Sequence, residues 1–225
     1  MNIDNNFIKK FKDDLTSDVN LSNYSWFNLG GNAEYFYKAK NKSLLIDFLK
    51  EAKLKKLKTT FLGAGSNILF RDSGVRGAVI KLGQDFSFCK IEEGDILTVG
   101  AATLDRKVAN FAKENNLGNL EFLSCIPGSI GGAIIMNSGC YDNDISKVLL
   151  SIQAIDKNKF SEIEIKKEDI NFSYRGTDLP EDLIIISAKL KGIARKKEEI
   201  EKKQSYLINK KKKITTKSNK NMWKY

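Results

Sequence analysis

Apolar residues recur at a helical period in four parts of the chain. Three amphipathic helices are predicted, because apolar side chains three or four positions apart share one face of a helix. Their apolar positions are Phe7, Ile8, Phe11 and Leu15; Leu44, Leu45, Phe48, Leu49 and Ala52; and Leu104, Val108, Phe111 and Ala112. Ser43 is placed to cap the second helix, and the third ends near Asn115 and Asn116. A fourth, strongly charged helix is predicted over residues 195–209. Its apolar positions are Ile200, Tyr206 and Leu207.

A second pattern, short runs rich in β-branched and aromatic residues, predicts strands. These runs cover residues 33–39, 59–62, 68–70, 78–82, 86–91, 96–100, 147–156, 161–165 and 183–190. Residues 23–31 are typical of an extended segment that stops at a glycine pair, and residues 175–178 are typical of a turn. Together the two patterns predict an α+β fold.

Composition and charge support a folded body with a basic tail. The 225 residues are enough for one large domain or two small ones, and 41% hydrophobic residues can fill a core. Residues 195–225 hold 12 Lys and Arg against 3 Asp and Glu, and therefore carry nearly all of the net charge of +10. Because the rest of the chain is nearly neutral, only this tail could bind a polyanion, and no specific nucleic-acid partner is expected.

The sequence contains no histidine. Its absence excludes Ser-His-Asp and Cys-His catalytic arrangements and histidine-rich metal sites. Chemistry must then depend on Arg, Lys, Tyr, carboxylates, cysteine or a bound cofactor. Cys89, Cys125 and Cys140 are odd in number and irregularly spaced, so neither a disulfide framework nor a metal site is predicted. We interpret all three as packing residues, since no activating neighbour is evident in the sequence.

No targeting or membrane-spanning segment is evident. The longest apolar runs, such as residues 183–186, are far shorter than the roughly 20 residues that cross a bilayer. The N-terminus lacks the apolar core of a signal peptide. We therefore expect a cytoplasmic protein without a membrane partner.

Two loops of small residues are the strongest candidates for chemistry. Loop 1 follows a predicted strand and consists of Gly63, Ala64, Gly65, Ser66 and Asn67. Loop 2 precedes an apolar stretch that can begin a helix and consists of Pro127, Gly128, Ser129, Ile130, Gly131, Gly132 and Ala133. Small residues leave backbone N–H groups uncovered, and glycine permits a positive φ and a close approach to a ligand. Two such loops predict a ligand with two phosphates, such as a dinucleotide.

Loop 1 resembles a Rossmann fingerprint only in part. Its third glycine is absent, and residues 68–70 predict a strand where that motif needs a helix. For loop 1 alone, an ordinary turn between strands is the alternative.

Four ordered motifs carry a resemblance to a known family. They are LGAGSNILF at 62–70, IPGSIGGA at 126–133 with MNSG at 136–139, YSWFNLGG at 24–31 and FSYR at 172–175. In this order and spacing the chain, over roughly residues 20–213, resembles the UDP-N-acetylenolpyruvoylglucosamine reductases, the MurB flavoenzymes of peptidoglycan synthesis. Four motifs in order are far more specific than one glycine loop.

The resemblance implies an FAD-binding fold of the vanillyl-alcohol-oxidase (PCMH) type, in which two α+β subdomains clasp FAD and a third domain covers the substrate. It implies a helical lead-in at 1–22, an FAD-binding domain at 23–194 with subdomains of about 23–83 and 84–194, and a charged helix with a lysine-rich tail at 195–225. Loops 1 and 2 match the family's loops around the FAD diphosphate. We expect FAD to be held noncovalently.

The resemblance also implies a reaction. In the family NADPH reduces the flavin, and hydride then passes to the enolpyruvyl double bond of a UDP-sugar, giving UDP-N-acetylmuramate. Arg175 matches the family's catalytic arginine, and a guanidinium suits a developing negative charge because it stays cationic. Tyr174 is a candidate for substrate binding. The alternatives are a solvated turn residue for Arg175 and a buried core tyrosine for Tyr174.

The chain departs from the family at its end. Family members continue into a Gly-Ser-x-Phe-Lys-Asn-Pro segment with the proton-donating serine, and supply a catalytic glutamate near the C-terminus. Ser218 lacks the preceding glycine and the following phenylalanine, so we do not transfer the proton-donor role to it. We expect that the third domain is missing, through a frameshift or an early stop, and that FAD binding survives while substrate capture is impaired.

Three other functions stay open at this level. The chain could be a noncatalytic flavin-binding remnant, another FAD-dependent oxidoreductase of the same fold, or a polyanion-binding module that uses the lysine-rich tail.

Overall fold

The computed structural model describes residues 3–222 of the chain, and side chains through residue 213. The helices are α1 (Asn5–Phe11), α2 (Lys42–Leu54), α3 (Asp105–Glu114), α4 (Ile130–Ile135) and α5 (Lys197–Met222). The strands are β1 (Leu15–Asn20), β2 (Asn32–Ala39), β3 (Thr59–Leu62), β4 (Val75–Leu82), β5 (Cys89–Ile91), β6 (Ile96–Gly100), β7 (Leu117–Gly118), β8 (Gly139–Cys140), β9 (Asn143–Asp144), β10 (Leu149–Asp156), β11 (Ser161–Lys166), β12 (Phe172–Ser173), β13 (Gly176–Thr177), β14 (Leu183–Lys191) and β15 (Ile193–Ala194). This mixture confirms the predicted α+β class.

The helical periods are confirmed, with two corrections at helix ends. The side chain of Asp4 accepts a hydrogen bond from the Phe7 amide and begins α1, which ends before Leu15. Leu15 is instead the first residue of β1, so its assignment to the helix is wrong. The cap of α2 is Asn41, whose side chain accepts from the Leu44 amide at 2.9 Å, and Ser43 lies within the helix. Both asparagine and serine cap helices well, and the sequence alone did not separate them.

The first sheet contains four strands in the order β1-β2-β4-β3. β1 pairs antiparallel with β2, whereas β2 and β3 each pair parallel with β4. The parallel pairing of β3 follows from the position of α2, which carries the chain back along the sheet between β2 and β3. Because β1 is part of this sheet, residues 15–20 do not belong to a purely helical lead-in.

The second sheet is antiparallel throughout and has the order β11-β10-β14-β6-β5. Its strands confirm the runs predicted at 96–100, 147–156, 161–165 and 183–190 to within a few residues. The run at 86–91 is shorter than predicted, because Gln84–Phe86 forms a 3₁₀ turn before β5 begins.

The strand predicted at 68–70 is wrong. This segment is irregular and is held by single contacts, such as the hydrogen bond from the Ser25 hydroxyl to the Ile68 carbonyl at 3.2 Å. The side chain of Phe70 is buried against Gly30, whereas that of the adjacent Leu69 is 68% exposed. The apolar residues here serve local packing rather than strand pairing.

Three apolar cores lie against the two sheets. In the core under α1 and α2, the rings of Tyr37 and Phe48 stack with centroids 3.9 Å apart. The same core includes Ile155, Ile184 and Ile186 from the second sheet. A larger core fills the space between the second sheet, α3 and α4, and a small one lies beside β2 and β4. The shared isoleucines hold the sheets together and thereby fix the loops at their junction.

The helix α5 packs on the second half of the fold through one face. Ile200 and Leu207 are buried, whereas Tyr206 is exposed. The Gln204 side-chain amide donates to the Ala109 carbonyl at 2.9 Å, and Lys203 pairs with the buried Glu121 at 3.2 Å. The charged helix predicted at 195–209 is therefore confirmed.

Across residues 3–222, none of the helices combines the length and the apolar character that a bilayer span requires.

Candidate cofactor and active site

Loops 1 and 2 meet at the junction of the two sheets. β3 leads directly into Gly63, and a Cβ atom built on Gly63 would lie 2.9 Å from the Ser129 hydroxyl oxygen. Ser129 is itself held by an isolated antiparallel bridge to Leu104. The two loops, distant in sequence, thus lie close together, and a side chain at residue 63 would displace the Ser129 hydroxyl group.

In loop 1 two carbonyls accept hydrogen bonds, whereas four amides have no acceptor among the described residues. The Lys81 ammonium donates to the Gly63 carbonyl at 2.6 Å, and the Trp26 amide donates to the Gly65 carbonyl at 3.0 Å. Within residues 3–222, the backbone amides of residues 64–67 have no acceptor. A loop with bonded carbonyls and free N–H groups favours an anion over a cation.

Gly65 takes a backbone conformation that other residues adopt only with strain. Its φ is +73°, and a Cβ atom there would overlap the carbonyl oxygen of Tyr24. Loop 1 therefore needs glycine at this position both for the left-handed conformation and for the close approach of residues 24–26.

In loop 2 the structure narrows the set of available amides. The Ile130 amide donates to the Thr103 carbonyl at 3.0 Å, and the Gly131 amide donates to the Ala101 carbonyl at 2.9 Å. Pro127 has no N–H, and the Ala133 amide makes a helical bond. Over the part of the chain that the structure describes, three amides of loop 2 are left without acceptors. They belong to Gly128, Ser129 and Gly132.

The main-chain N–H groups of Ile130 and Gly131 therefore cannot contribute to an anion site as the sequence suggested. Ile130 instead places its side chain in the larger core. Gly131 packs against Ala101, where a Cβ atom would lie 3.2 Å from the Ala101 methyl group. The hydrogen bonds from these two amides to residues 101–103 join distant parts of the chain, so the local sequence gives no signal of them.

Arg175 lies at the other end of α4, which at six residues is about 9 Å long. It occupies the turn between β12 and β13 with a φ of +62°. Its guanidinium donates to the Gly139 carbonyl at 3.2 Å. The Asn137 side-chain amide donates to the Ser173 carbonyl at 3.1 Å, and the Thr177 hydroxyl donates to the Ile135 carbonyl at 3.3 Å. The hairpin is thereby fixed to the C-terminal end of α4.

A cavity of about 590 Å³ opens beside this hairpin. Its lining residues are Asn137, Gly139, Cys140, Tyr141, Asp142, Asn143, Asp144, Ser146, Lys147, Phe172, Ser173, Tyr174 and Arg175. Tyr174 is 91% exposed, and its ring centroid lies 5.3 Å from the Arg175 guanidinium carbon. The alternative of a buried core tyrosine is therefore wrong. Both residues of the Tyr-Arg pair face solvent at the mouth of this cavity.

The cysteines are poorly suited to act as nucleophiles. Burial raises the pKa of Cys89 to about 11, and burial together with the neighbouring Cys125 raises that of Cys140 to about 12. The Cys140 thiol donates to the Phe122 carbonyl at 3.3 Å. A thiol that stays protonated at neutral pH is a packing group, which supports the interpretation from sequence.

The described residues contain no cluster of three or more His, Cys, Asp or Glu side chains that could hold a metal ion.

Sequence reasoning missed two polar residues beside the loops. Lys81, whose pKa is lowered by burial and by Lys38, fixes the Gly63 carbonyl. Asp105, the first residue of α3, lies against Gly128. Lysine is common in strands, and an acidic residue is common in the first turn of a helix. The sequence around Lys81 and Asp105 therefore gave no signal of a site.

The two loops have the properties that a dinucleotide diphosphate needs. Both loops carry free amides, and their glycines place no side chains between the loops. Loop 1 also has no acidic side chain. The residues present therefore fit the diphosphate of FAD.

Comparisons with known proteins point to the same cofactor. Residues 33–158, more than half of the chain, match a family model described as an FAD binding domain. The chain is 44% identical over 208 residues to UDP-N-acetylenolpyruvoylglucosamine reductase of Pelagibacter ubique (strain HTCC1062), covering 91% of this chain and 68% of the relative. It is 43% identical over 181 residues to the Rickettsia bellii (strain RML369-C) protein of the same description, covering 80% of this chain and 59% of that one.

Solved structures show the same similarity. The crystal structure of UDP-N-acetylenolpyruvylglucosamine reductase from Thermus caldophilus superposes with a TM-score of 0.75 at 28% identity, over 88% of this chain and 69% of that one. An alkyldihydroxyacetonephosphate synthase superposes with a TM-score of 0.61 at 14% identity, over 86% of this chain and 41% of that one, and shows the fold alone.

Proposed function

This chain belongs to the UDP-N-acetylenolpyruvoylglucosamine reductase family of FAD-binding oxidoreductases, and from that premise we propose its reaction and the roles of its residues. The reaction is the NADPH-dependent reduction of UDP-N-acetylenolpyruvoylglucosamine to UDP-N-acetylmuramate. The chain spans 68% of its Pelagibacter relative and 59% of its Rickettsia bellii relative. The proposal therefore concerns the part of the activity to which these residues contribute.

The observation that carries the proposal is the convergence of loops 1 and 2. Gly63 and Ser129 lie close together, and both loops carry free amides. In this proposal the amides of residues 64–67 and of Gly128, Ser129 and Gly132 bind the diphosphate of a noncovalently held FAD. Pro127 and Ile130 shape loop 2, and Gly131 and Ala133 keep its path close to residues 101–103.

The hairpin residues act on the substrate. Bound FAD supplies hydride transfer, which none of the protein's own side chains can perform. Arg175 places a permanent positive charge at the cavity, where it can neutralise charge that develops on the enolpyruvyl group. Its bond to the Gly139 carbonyl holds the guanidinium at the end of α4. Tyr174 offers a ring and a hydroxyl to the UDP-sugar at the same opening.

We further propose that the protein works in the cytoplasm with NADPH as the hydride donor, without a nucleic-acid or membrane partner. There it would serve peptidoglycan synthesis, and through the cell wall it would serve cell shape, the cell cycle and cell division.

Purification of the chain tests the proposal in two steps. We expect a yellow protein, or a colourless one that takes up FAD with saturable quenching of the flavin fluorescence. A folded protein that stays colourless with excess FAD would overturn the assignment of the loops. NADPH oxidation that depends on UDP-N-acetylenolpyruvoylglucosamine would then support the reductase. Flavin binding without any such oxidation would reject that activity and keep the FAD site.

A further inference from the structure

Asp105 is a buried carboxyl group without a partner. It is the first residue of α3, its relative exposure is 0%, and neither of its side-chain oxygens has a hydrogen-bond partner among the described residues. Burial raises its pKa to about 8. A lone carboxylate is unfavourable in such a place, so the neutral acid is the dominant form at pH 7.

This carboxyl group lies directly behind loop 2. A Cβ atom built on Gly128 would lie 2.6 Å from Oδ2 of Asp105, and the Asp105 amide donates to the Gly128 carbonyl at 3.1 Å. Gly128 and Ser129 carry two of the free amides of loop 2. A charge on Asp105 would therefore arise next to two of the amides that the proposed site uses.

We propose that Asp105 makes anion binding at loop 2 depend on its own protonation: the neutral acid permits the FAD diphosphate to bind, and the carboxylate repels it. This inference rests on the proposed FAD site and adds a proton to its binding equilibrium. Two like charges in a partly dehydrated site repel each other more strongly than in bulk water.

Among the described residues, no charged group contributes to the pKa shift of Asp105. Burial is the sole cause of its pKa shift. Arg106 and Lys107, its neighbours on α3, are exposed, and Lys107 acts instead on the Cys89 thiol. Loop 2, which lies against the carboxyl group, and residues 101–103, which are bonded to loop 2, consist of uncharged residues.

Linkage gives the expected size of the effect. Because the bound diphosphate favours the neutral acid, FAD binding takes up a proton wherever free Asp105 is ionised. The dissociation constant should rise by up to tenfold per pH unit above about pH 8, or about tenfold between pH 7 and pH 9. The chain has no histidine, so no imidazole titrates in this interval.

The test measures the dissociation constant of FAD between pH 6.5 and pH 9.5 by flavin fluorescence at constant ionic strength. We compare the wild-type chain with Asp105→Asn and with Asp85→Asn. Asp85 is exposed and lies outside both loops, so D85N makes the same chemical exchange away from the proposed site. We expect the wild type and D85N to lose affinity about tenfold from pH 7 to pH 9, and D105N to stay within about twofold.

The results separate the inference about Asp105 from the proposed FAD site. If the wild type binds FAD equally at pH 7 and pH 9, or if D105N keeps the full pH dependence, the inference about Asp105 is wrong and the FAD site stands. If no variant binds FAD at any pH, the proposed function fails, and the inference fails with it.

A second measurement does not depend on the variant. Calorimetry of FAD binding to the wild type at pH 8.5, in buffers of different ionisation enthalpy, should show an uptake of between half a proton and one proton. An uptake indistinguishable from zero would also overturn the proposal.

Folding of D105N is checked by its melting temperature. Since the pKa of Asp105 is raised in the folded state, wild-type stability falls as pH rises from about 4 to about 8. D105N should lack this fall.

Discussion

Two glycines with the same backbone conformation differ in what surrounds them. Gly65 has a φ of +73° and Gly94 a φ of +70°, yet a Cβ atom would overlap the Tyr24 carbonyl at Gly65 and meet nothing within 4 Å at Gly94. The sequence could predict that loop 1 needs glycine, because GAGSN is a loop of small residues. It could not show that residues 24–26 lie over it, since that contact joins distant parts of the chain.

Gly65→Ala should therefore weaken FAD binding by about tenfold or more, because a shift of loop 1 misaligns several hydrogen bonds of about 1 kcal/mol each. Gly94→Ala should lower the free energy of unfolding by about 1 kcal/mol through backbone strain and leave FAD affinity unchanged. Fluorescence titration and urea unfolding measure the two effects. Equal FAD affinity of G65A and the wild type would contradict the role of loop 1.

Arg175 should matter for the reaction and not for FAD. Arg175→Gln is expected to leave the dissociation constant of FAD within about twofold and to lower substrate-dependent NADPH oxidation by about 10² to 10³, as for the loss of other charge-stabilising groups. Arg76→Gln is the matched control, because Arg76 is an exposed arginine that lines a separate cavity. A proportional loss of FAD affinity in R175Q would place this arginine at the cofactor instead.

At the scale of elements, periodicity predicted α1, α2, α3 and α5 well, because a buried helical face repeats every three or four residues. It did not find β1, whose residues are mostly exposed and therefore show no apolar pattern, although β1 pairs with β2, the next strand along the chain. It also mistook residues 68–70 for a strand. In both cases local composition and tertiary pairing disagree, and the pairing decides.

The same reasoning predicts which side of α5 matters. Ile200 is 1% exposed and Tyr206 is 62% exposed. Ile200→Ala should lower the free energy of unfolding by about 2 to 5 kcal/mol, and Tyr206→Ala by less than about 1 kcal/mol. Urea denaturation followed by circular dichroism measures both. Similar losses in the two variants would show that α5 does not dock through this face.

For the molecule as a whole, the decisive arrangement is the meeting of the two sheets, which share a core through Ile155, Ile184 and Ile186. Neither sheet contains both loops: loop 1 follows β3 of the first sheet, and loop 2 packs on residues that follow β6 of the second. Spacing along the chain does not reveal this meeting. The site stays a prediction, based on four ordered motifs that carry a family resemblance, and the structure adds which amides are free.

The isoleucines shared between the sheets should make the two halves unfold together. Ile155 belongs to β10, but it packs in the core with Phe48 and Tyr37. Ile155→Ala should reduce hydrogen-exchange protection of β2 and β10 by the same factor, since their opening would require the same global event. If protection falls in β10 alone, the halves unfold independently.

The proximity of Gly63 and Ser129 also predicts a change in protease resistance when a ligand binds. A ligand that binds both loops links the two sheets reversibly. Without it, the sheets separate only when the core around Ile155, Ile184 and Ile186 opens. A bound ligand should then slow thermolysin cleavage within both sheets by the same factor, so that the increase in lifetime with ligand concentration reports the dissociation constant.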